Sequence, residues 1–394
     1  MHRIVNQLGK GSYGGINRLP VRRGQTATHI QDLEPKPFSA IPEPRKLPLL
    51  GTAFDYRKFE PKQFHKRVLK RHQELGPIYK ETVLPGMTPT IVFTSSSDDL
   101  QKMLKIHASM PQRGEMKFLK KARESFGFHG GVASVNGEEW YKMRKQINEH
   151  FLNTESVWTY AKEHYEVSKD FADFIQNNLN EENEVPDFRL AMQRWAFEAA
   201  CVFVLETRCG TLSGEVTENV KVIIDSTSDI LVGFVPLFFG LPLWKYYPTK
   251  DFKAFQKAIS YQMLALRRHR ENLLNEKNAN DLPRLAKALH ESPLTAEQQE
   301  SILADFLGGG IVTTQHAAAF ALYCLANNPE KQEVLRKEIK EFLKKDNISG
   351  KTLQGLKYLH ACVRETQRLF PLTLGFSRII PKDLILSGYL VPKG

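Results

Sequence analysis

Between Thr295 and Pro329 the chain carries one continuous helical signal, and inside it sits the run DFLGGGIVTTQ, Asp305 to Gln315. Thr295 and Gln298 have the T-x-x-Q spacing of a capping box, in which each side chain satisfies a backbone N–H left open by the first turn. Apolar residues recur through Ile302, Phe306, Phe320, Leu322 and Leu325. Asn327, Asn328 and Pro329 then close the segment and start another helix. A helix of about 31 residues is about 46 Å long at 1.5 Å per residue, so it crosses a whole domain and the fold must be built around it. Three mid-helix glycines weaken such a rod by roughly 1 kcal/mol each against alanine. Two readings account for them: close approach of a second helix, or a large flat ligand lying on bare backbone. Thr313 and Thr314 bear on this choice. A mid-helix threonine bonds back to the i−4 carbonyl, here that of Gly309, and loosens the helix. Beside a flat ligand, a free hydroxyl at that point would hold a small polar molecule.

The rest of the chain supports a mainly α fold with a small β region. IYKETV and TPTIVF flank LPGM and read as a hairpin. Ser97 is placed to cap a helix through Leu104, and helical signals dominate from there to Arg368. Residues 36–51 are punctuated by proline and read as an extended lead-in. The segment Ile230 to Trp244 has fifteen residues without a charge, short of the roughly 20 that span a bilayer. Pro236 and Pro242 are expected to break it. It reads either as a buried helix end with its loop or as an apolar lip dipping into a membrane surface, with Lys245 and Lys250 near the headgroups.

A net charge of +11 suggests an acidic partner or surface; nothing points to nucleic acid. The first 31 residues carry Arg3, Lys10, Arg18, Arg22 and Arg23 with no acid, and read as a mitochondrial transit segment, or else as a disordered basic tail. Gly9, Gly11 and Gly14 there match a phosphate-loop pattern, but the chain has none of a kinase's other motifs. Cys201, Cys209, Cys324 and Cys362 lack CxxC spacing and read as reduced thiols, with neither a disulfide frame nor a zinc site.

Three further placements concern charge. Glu365 and Arg368 lie at i,i+3 on one helix that Pro371 ends, as a surface bridge or a buried clamp. Trp140 and Arg144 lie at i,i+4 in NGEEWYKMRKQ, an indole N–H and a guanidinium facing one way, a pair suited to a ligand carboxylate. Arg378, in a strand-like stretch, could do likewise.

WxxxR, the GG-x-x-TT helix and ExxR followed by RLFP, in that order, resemble a cytochrome P-450, the haem-thiolate monooxygenase family. PFSAIPEPRKLPLLGT, LPLWKYYPTK and VRETQRLFPLTLGFSRIIPKDLILSGYLVPKG are similar to its mitochondrial branch, so residues 37–394 are expected to form a partial domain of that fold. The resemblance implies haem b (iron protoporphyrin IX), with Trp140, Arg144 and Arg378 on its propionates and Gly308, Gly309 and Gly310 against the porphyrin. It implies that Thr313 is the catalytic threonine and that Glu365 and Arg368 form a buried clamp. It also implies a lipophilic, sterol-like substrate, and electrons passed from NADPH through a ferredoxin reductase to an acidic, adrenodoxin-type ferredoxin. That ferredoxin would dock on His360 and Arg364, in a mitochondrion, peripherally on the matrix side of the inner membrane. Two departures stand out. Val312 occupies the position where the family has an acid that relays protons. The family's cysteine ligand lies in an FxxGxRxCxG loop, and these 394 residues contain none. The metal ligand is therefore expected beyond Gly394, and the chain alone is expected to be inactive; the alternative is a non-catalytic haem- or sterol-binding relative.

Overall fold

The computed structural model describes residues 34–56, 63–106, 110–114, 116–151, 153–214, 216–276, 281–342, 348–373 and 375–394. The basic leader over 1–31, with its glycine run, lies outside them. In chain order the helices are α1 (Phe64–Leu75), α2 (Ser97–Ile106), α3 (Lys117–Glu124), α4 (Gly137–Phe151), α5 (Thr154–Trp158), α6 (Ala161–Asn177) and α7 (Phe188–Val204). There follow α8 (Glu218–Phe239), α9 (Lys250–Glu276), α10 (Arg284–Glu291), α11 (Ala296–Ala326), α12 (Pro329–Phe342), α13 (Gly350–Gly355) and α14 (Lys357–Leu369). Strands β1 (Ile78–Glu81) and β2 (Ile91–Thr94) pair antiparallel with Ile78 opposite Thr94, the hairpin expected around LPGM. β3 (Leu384–Leu386) and β4 (Tyr389–Val391) form a second hairpin. Its two-residue turn has φ of 46° at Ser387 and 82° at Gly388, the doubly positive geometry that suits the strands' right-handed twist. Buried Asp99 accepts the Ser387 N–H at 2.9 Å and holds that turn from α2. The fold is therefore mainly α with a small β part.

α11 has the length and cap that its sequence requires. The Thr295 hydroxyl accepts from the Gln298 N–H at 3.3 Å, and Gln298 Oε1 accepts from the Thr295 N–H at 3.0 Å. The helix lies against α7 on one side and α9 on another, with α8 along α9, and its last turns meet α12 and α14. Ile302, Leu303, Ala304, Leu307 and Ile311 supply its buried stripe. Two polar tethers fix its rotation. Fully buried Glu300 takes the Arg267 guanidinium of α9 through both oxygens, at 3.1 and 3.0 Å. Buried Gln315 donates to the Arg189 carbonyl of α7 at 3.1 Å. With these faces committed, the Gly309 and Thr313 side remains exposed.

Two local expectations need correction. The α2 cap is supplied by Ser96, whose hydroxyl accepts the Asp99 N–H at 3.3 Å, while Ser97 is already the first helical residue. Pro236 does not break its segment: α8 runs through it to Phe239, and Gly240 N–H reaches the Pro236 carbonyl at 3.0 Å. A proline near a helix C-terminus removes one bond, and only one turn remains to be disturbed. Of the charge-free stretch, Leu237 and Trp244 are buried, while Val232, Val235, Phe238 and Leu241 face outward, Val232 at 76% exposure. Among the described residues no helix is long and apolar enough to cross a membrane.

Candidate functional site

The three glycines of α11 do not share one role. A Cβ built on Gly310 would lie 3.6 Å from the Ala200 Cβ of α7, an ordinary contact, so Gly310 faces the neighbouring helix but its packing does not demand glycine. A Cβ on Gly308 or Gly309 would meet nothing within 4 Å. Helix packing does not require glycine there, and bare backbone opposite open space is what a flat ligand would use. Thr313 lies one turn on, exposed, its hydroxyl donating to the Gly309 carbonyl at 2.7 Å. The bond expected from its spacing forms, yet α11 stays helical throughout.

A cluster of cations gathers nearby. Trp140 and Arg144 lie on α4, and the Arg144 guanidinium is 5.6 Å from the Trp140 ring centre. Arg113 approaches the same ring at 5.7 Å. The extended segment around Arg378 is joined to that of Arg113: Ile379 N–H donates to the Gln112 carbonyl at 2.9 Å, and Gly114 N–H to Ser377 Oγ at 3.1 Å. Burial lowers the pKa of Arg113, Arg144 and Arg378, and in Arg113 the charge of Arg378 lowers it further. No carboxylate among the described residues forms an ion pair with any of the three, and Arg378 Nε is buried without a hydrogen-bond partner. Half-buried cations held together in this way call for anionic ligand groups. Arg113 was missed by sequence reasoning, since a lone arginine between Gln112 and Gly114 carries no spacing signal.

Asp305 explains why the cluster forms beside the glycines. Its carboxylate pairs with buried Arg123 at 2.8 Å and accepts the Ala133 N–H at 2.9 Å. Ser301, one turn earlier, donates to the His129 carbonyl at 2.7 Å. The loop between α3 and α4 is thus pinned to α11. The same loop grips Arg113, which donates to Asn136 Oδ1 at 3.3 Å and to the Val132 carbonyl at 2.8 Å.

On α14 the Glu365–Arg368 pair forms, with Arg368 Nε donating to Glu365 Oε2 at 2.7 Å. It is not the buried clamp that was expected: the side chains are 56% and 66% exposed, because no described element packs on that face. His360 is exposed but tethered, its Nε2 donating to the Leu353 carbonyl at 3.1 Å. Arg364 is exposed.

The profile of the cytochrome P450 family matches residues 41–394. The chain belongs to the cytochrome P450 family. Among relatives, it is 31% identical over 373 residues to Cytochrome P450 10 of Lymnaea stagnalis, covering 92% of this chain and 67% of that protein. It is 31% identical over 332 residues to Probable cytochrome P450 12b2, mitochondrial, of Drosophila melanogaster, covering 81% of this chain and 61% of that protein. It is 28% identical over 373 residues to Cytochrome P450 302a1, mitochondrial, of the same fly, covering 91% and 75%. The chain thus spans roughly two thirds of the length of the relatives it matches.

A P450 carries haem, and the residues fit two of its three demands. The arginine cluster suits the propionates and the Gly308–Gly309 face suits the macrocycle. The four cysteines do not suit the axial position. Cys201 and Cys209 are buried in the core, and Cys324 and Cys362 sit on α11 and α14. Burial holds the Cys201, Cys324 and Cys362 thiols above the ordinary thiol range, the opposite of what a thiolate ligand needs.

Proposed function

We propose that this P450 chain serves a mitochondrial monooxygenase reaction. It would insert one oxygen atom of O₂ into a lipophilic, sterol-like substrate, with electrons passed from NADPH by a ferredoxin reductase and an acidic ferredoxin. The observation that carries this reading is the set of three half-buried arginines without bound carboxylates, held by a loop that Asp305 ties to α11 one turn before an open glycine face. Bound there, haem supplies the chemistry by which O₂ is reduced and cleaved. Arg113, Arg144, Arg378 and Trp140 hold its propionates. Gly308 and Gly309 leave room for its plane, and Thr313 presents a hydroxyl beside it. Exposed Arg364 meets the ferredoxin. The outward Val232, Val235, Phe238 and Leu241 enter the headgroup layer of the inner membrane, with Lys245 beside them. The names of relatives in two fly P450 groups include the word mitochondrial, which favours this redox chain.

The test is the coding sequence past Gly394, joined to a turnover assay. An in-frame FxxGxRxCxG loop is expected, and the resulting holoenzyme should oxidise an apolar polycyclic substrate when supplied with ferredoxin. A stop codon at that point would favour the non-catalytic binding relative. A complete loop with no ferredoxin-supported product would overturn the electron route.

A further inference from the structure

We propose that His316 is the proton-carrying residue of the oxygen site, acting through Thr313 in place of the acid that Val312 replaces. Its role presupposes the monooxygenase chemistry above. His316 lies on α11 three residues after Thr313, and both side chains are exposed on the one face that α7 and α9 leave uncovered. Its Nδ1 lies 2.7 Å from the Val312 carbonyl oxygen. A carbonyl only accepts, so the ring proton sits on Nδ1 and the neutral ring keeps an open lone pair on Nε2. The His316 and Phe320 ring centres are 6.4 Å apart, and Phe320 is stacked on Phe370 of the segment after α14 at 4.7 Å.

This geometry separates two jobs on one imidazole. Nδ1–H braces the helix at the peptide just before Thr313. Nε2 is the ring atom left for a second partner, and at i,i+3 on one helix face the Cβ atoms of His316 and Thr313 are about 5–6 Å apart, a gap that one water would bridge. Thr313 spends its own proton on the Gly309 carbonyl, so its oxygen lone pairs are free to accept. Insertion of one oxygen atom sends the other away as water, which consumes two electrons from the ferredoxin and two protons. For each proton, the Nε2 lone pair first takes H⁺ from solvent, the bridging water then receives that proton and passes one of its own to the Thr313 oxygen, and the N–H electron pair returns to Nε2 as its lone pair. An imidazole nitrogen can take up and give back a proton, whereas a valine side chain has no exchangeable proton.

Two measurements decide the proposal. In the 394-residue chain, two-bond ¹⁵N–¹H spectra of labelled histidine, with the His316 signal identified by its loss in His316→Asn, should show the neutral ring protonated at Nδ1. An Nε2-protonated pattern would overturn the assignment without any turnover. In the holoenzyme, His316→Asn keeps a donor for the Val312 carbonyl but cannot carry a proton. It should melt at the wild-type temperature, yet form severalfold less product per NADPH and release peroxide. Adding Val312→Asp should restore coupling in that background and change the wild type little. Unchanged coupling in His316→Asn would reduce the residue to a brace. A wild-type holoenzyme that oxidises nothing would overturn the monooxygenase reading itself, while leaving the tautomer result standing.

Discussion

At the scale of single residues, Thr313 occupies a position that the packing of α11 leaves open, exposed and with its hydroxyl donating to the Gly309 carbonyl. In the holoenzyme Thr313→Ala should lower product formed per NADPH and raise peroxide release, with substrate affinity near wild type; equal coupling would remove the threonine from the proton path. Glu198 shows the opposite use of a charge, for stability. It is fully buried on α7 and accepts from Arg208 Nε at 2.7 Å, the Thr211 hydroxyl at 2.7 Å and the Thr211 N–H at 3.0 Å. Burial alone would raise its pKa, but the bonds from Arg208 and Thr211 outweigh it and hold the carboxyl below its usual 4.5. A depressed carboxylate contributes stability that is present above its unfolded pKa and is lost as pH falls through the folded one. Urea midpoints should therefore decline below about pH 4.5 less steeply in Glu198→Gln than in the wild type. Arg208→Ala should destabilise by roughly 3 kcal/mol at neutral pH, because it leaves a buried carboxylate without its cation. A loss within the error of the midpoint would mean that the amide and hydroxyl donors suffice.

At the scale of elements, α11 presents the open Gly308–Gly309 backbone and α14 carries exposed Arg364. α14 has no side-chain cap of its own; Glu338 of α12 supplies one, accepting the Tyr358 and Leu359 N–H groups at 2.7 and 2.9 Å. An anion at a helix N-terminus is favourable and orients the helix. That orientation leaves Arg364 on the surface. Arg364→Glu should slow ferredoxin-supported turnover severalfold at low salt, with haem content unchanged. The difference should shrink as the Debye length falls below about 8 Å, since rim charges act mainly on encounter. Turnover equal to wild type at low salt, with ferredoxin below saturation, would make Arg364 an ordinary solvated side chain. The His360 ring is already engaged by the Leu353 carbonyl.

For the whole molecule, the loop between α3 and α4 is pinned to α11 through Asp305 and Ser301, and the segment around Arg378 is joined to that of Arg113, which the same loop holds. None of the four cysteines meets the demands of an axial thiolate. Reconstituted with haem and reduced under carbon monoxide, the 394-residue chain should lack the thiolate-type Soret band that names the family. That band at stoichiometric intensity would show that one of these cysteines does ligate iron. The sequence by itself determined what depends on local spacing: the length of α11, its Thr295–Gln298 cap, the Thr313-to-Gly309 bond, the first hairpin and the mainly α class. Each is set by contacts within a few residues, where periodicity and capping rules operate. The ordered motifs also sufficed to identify the family. Only the tertiary structure decided which glycines face open space and which face Ala200, that Arg113 joins Arg144 and Arg378, and that Asp305 anchors the loop holding them. It also decided that Glu365 and Arg368 are exposed and that α8 continues through Pro236. These outcomes depend on which distant segments meet, or on how few bonds a proline can remove near a helix end. Spacing along the chain encodes the elements, whereas burial, charge clustering and open backbone arise only when those elements pack.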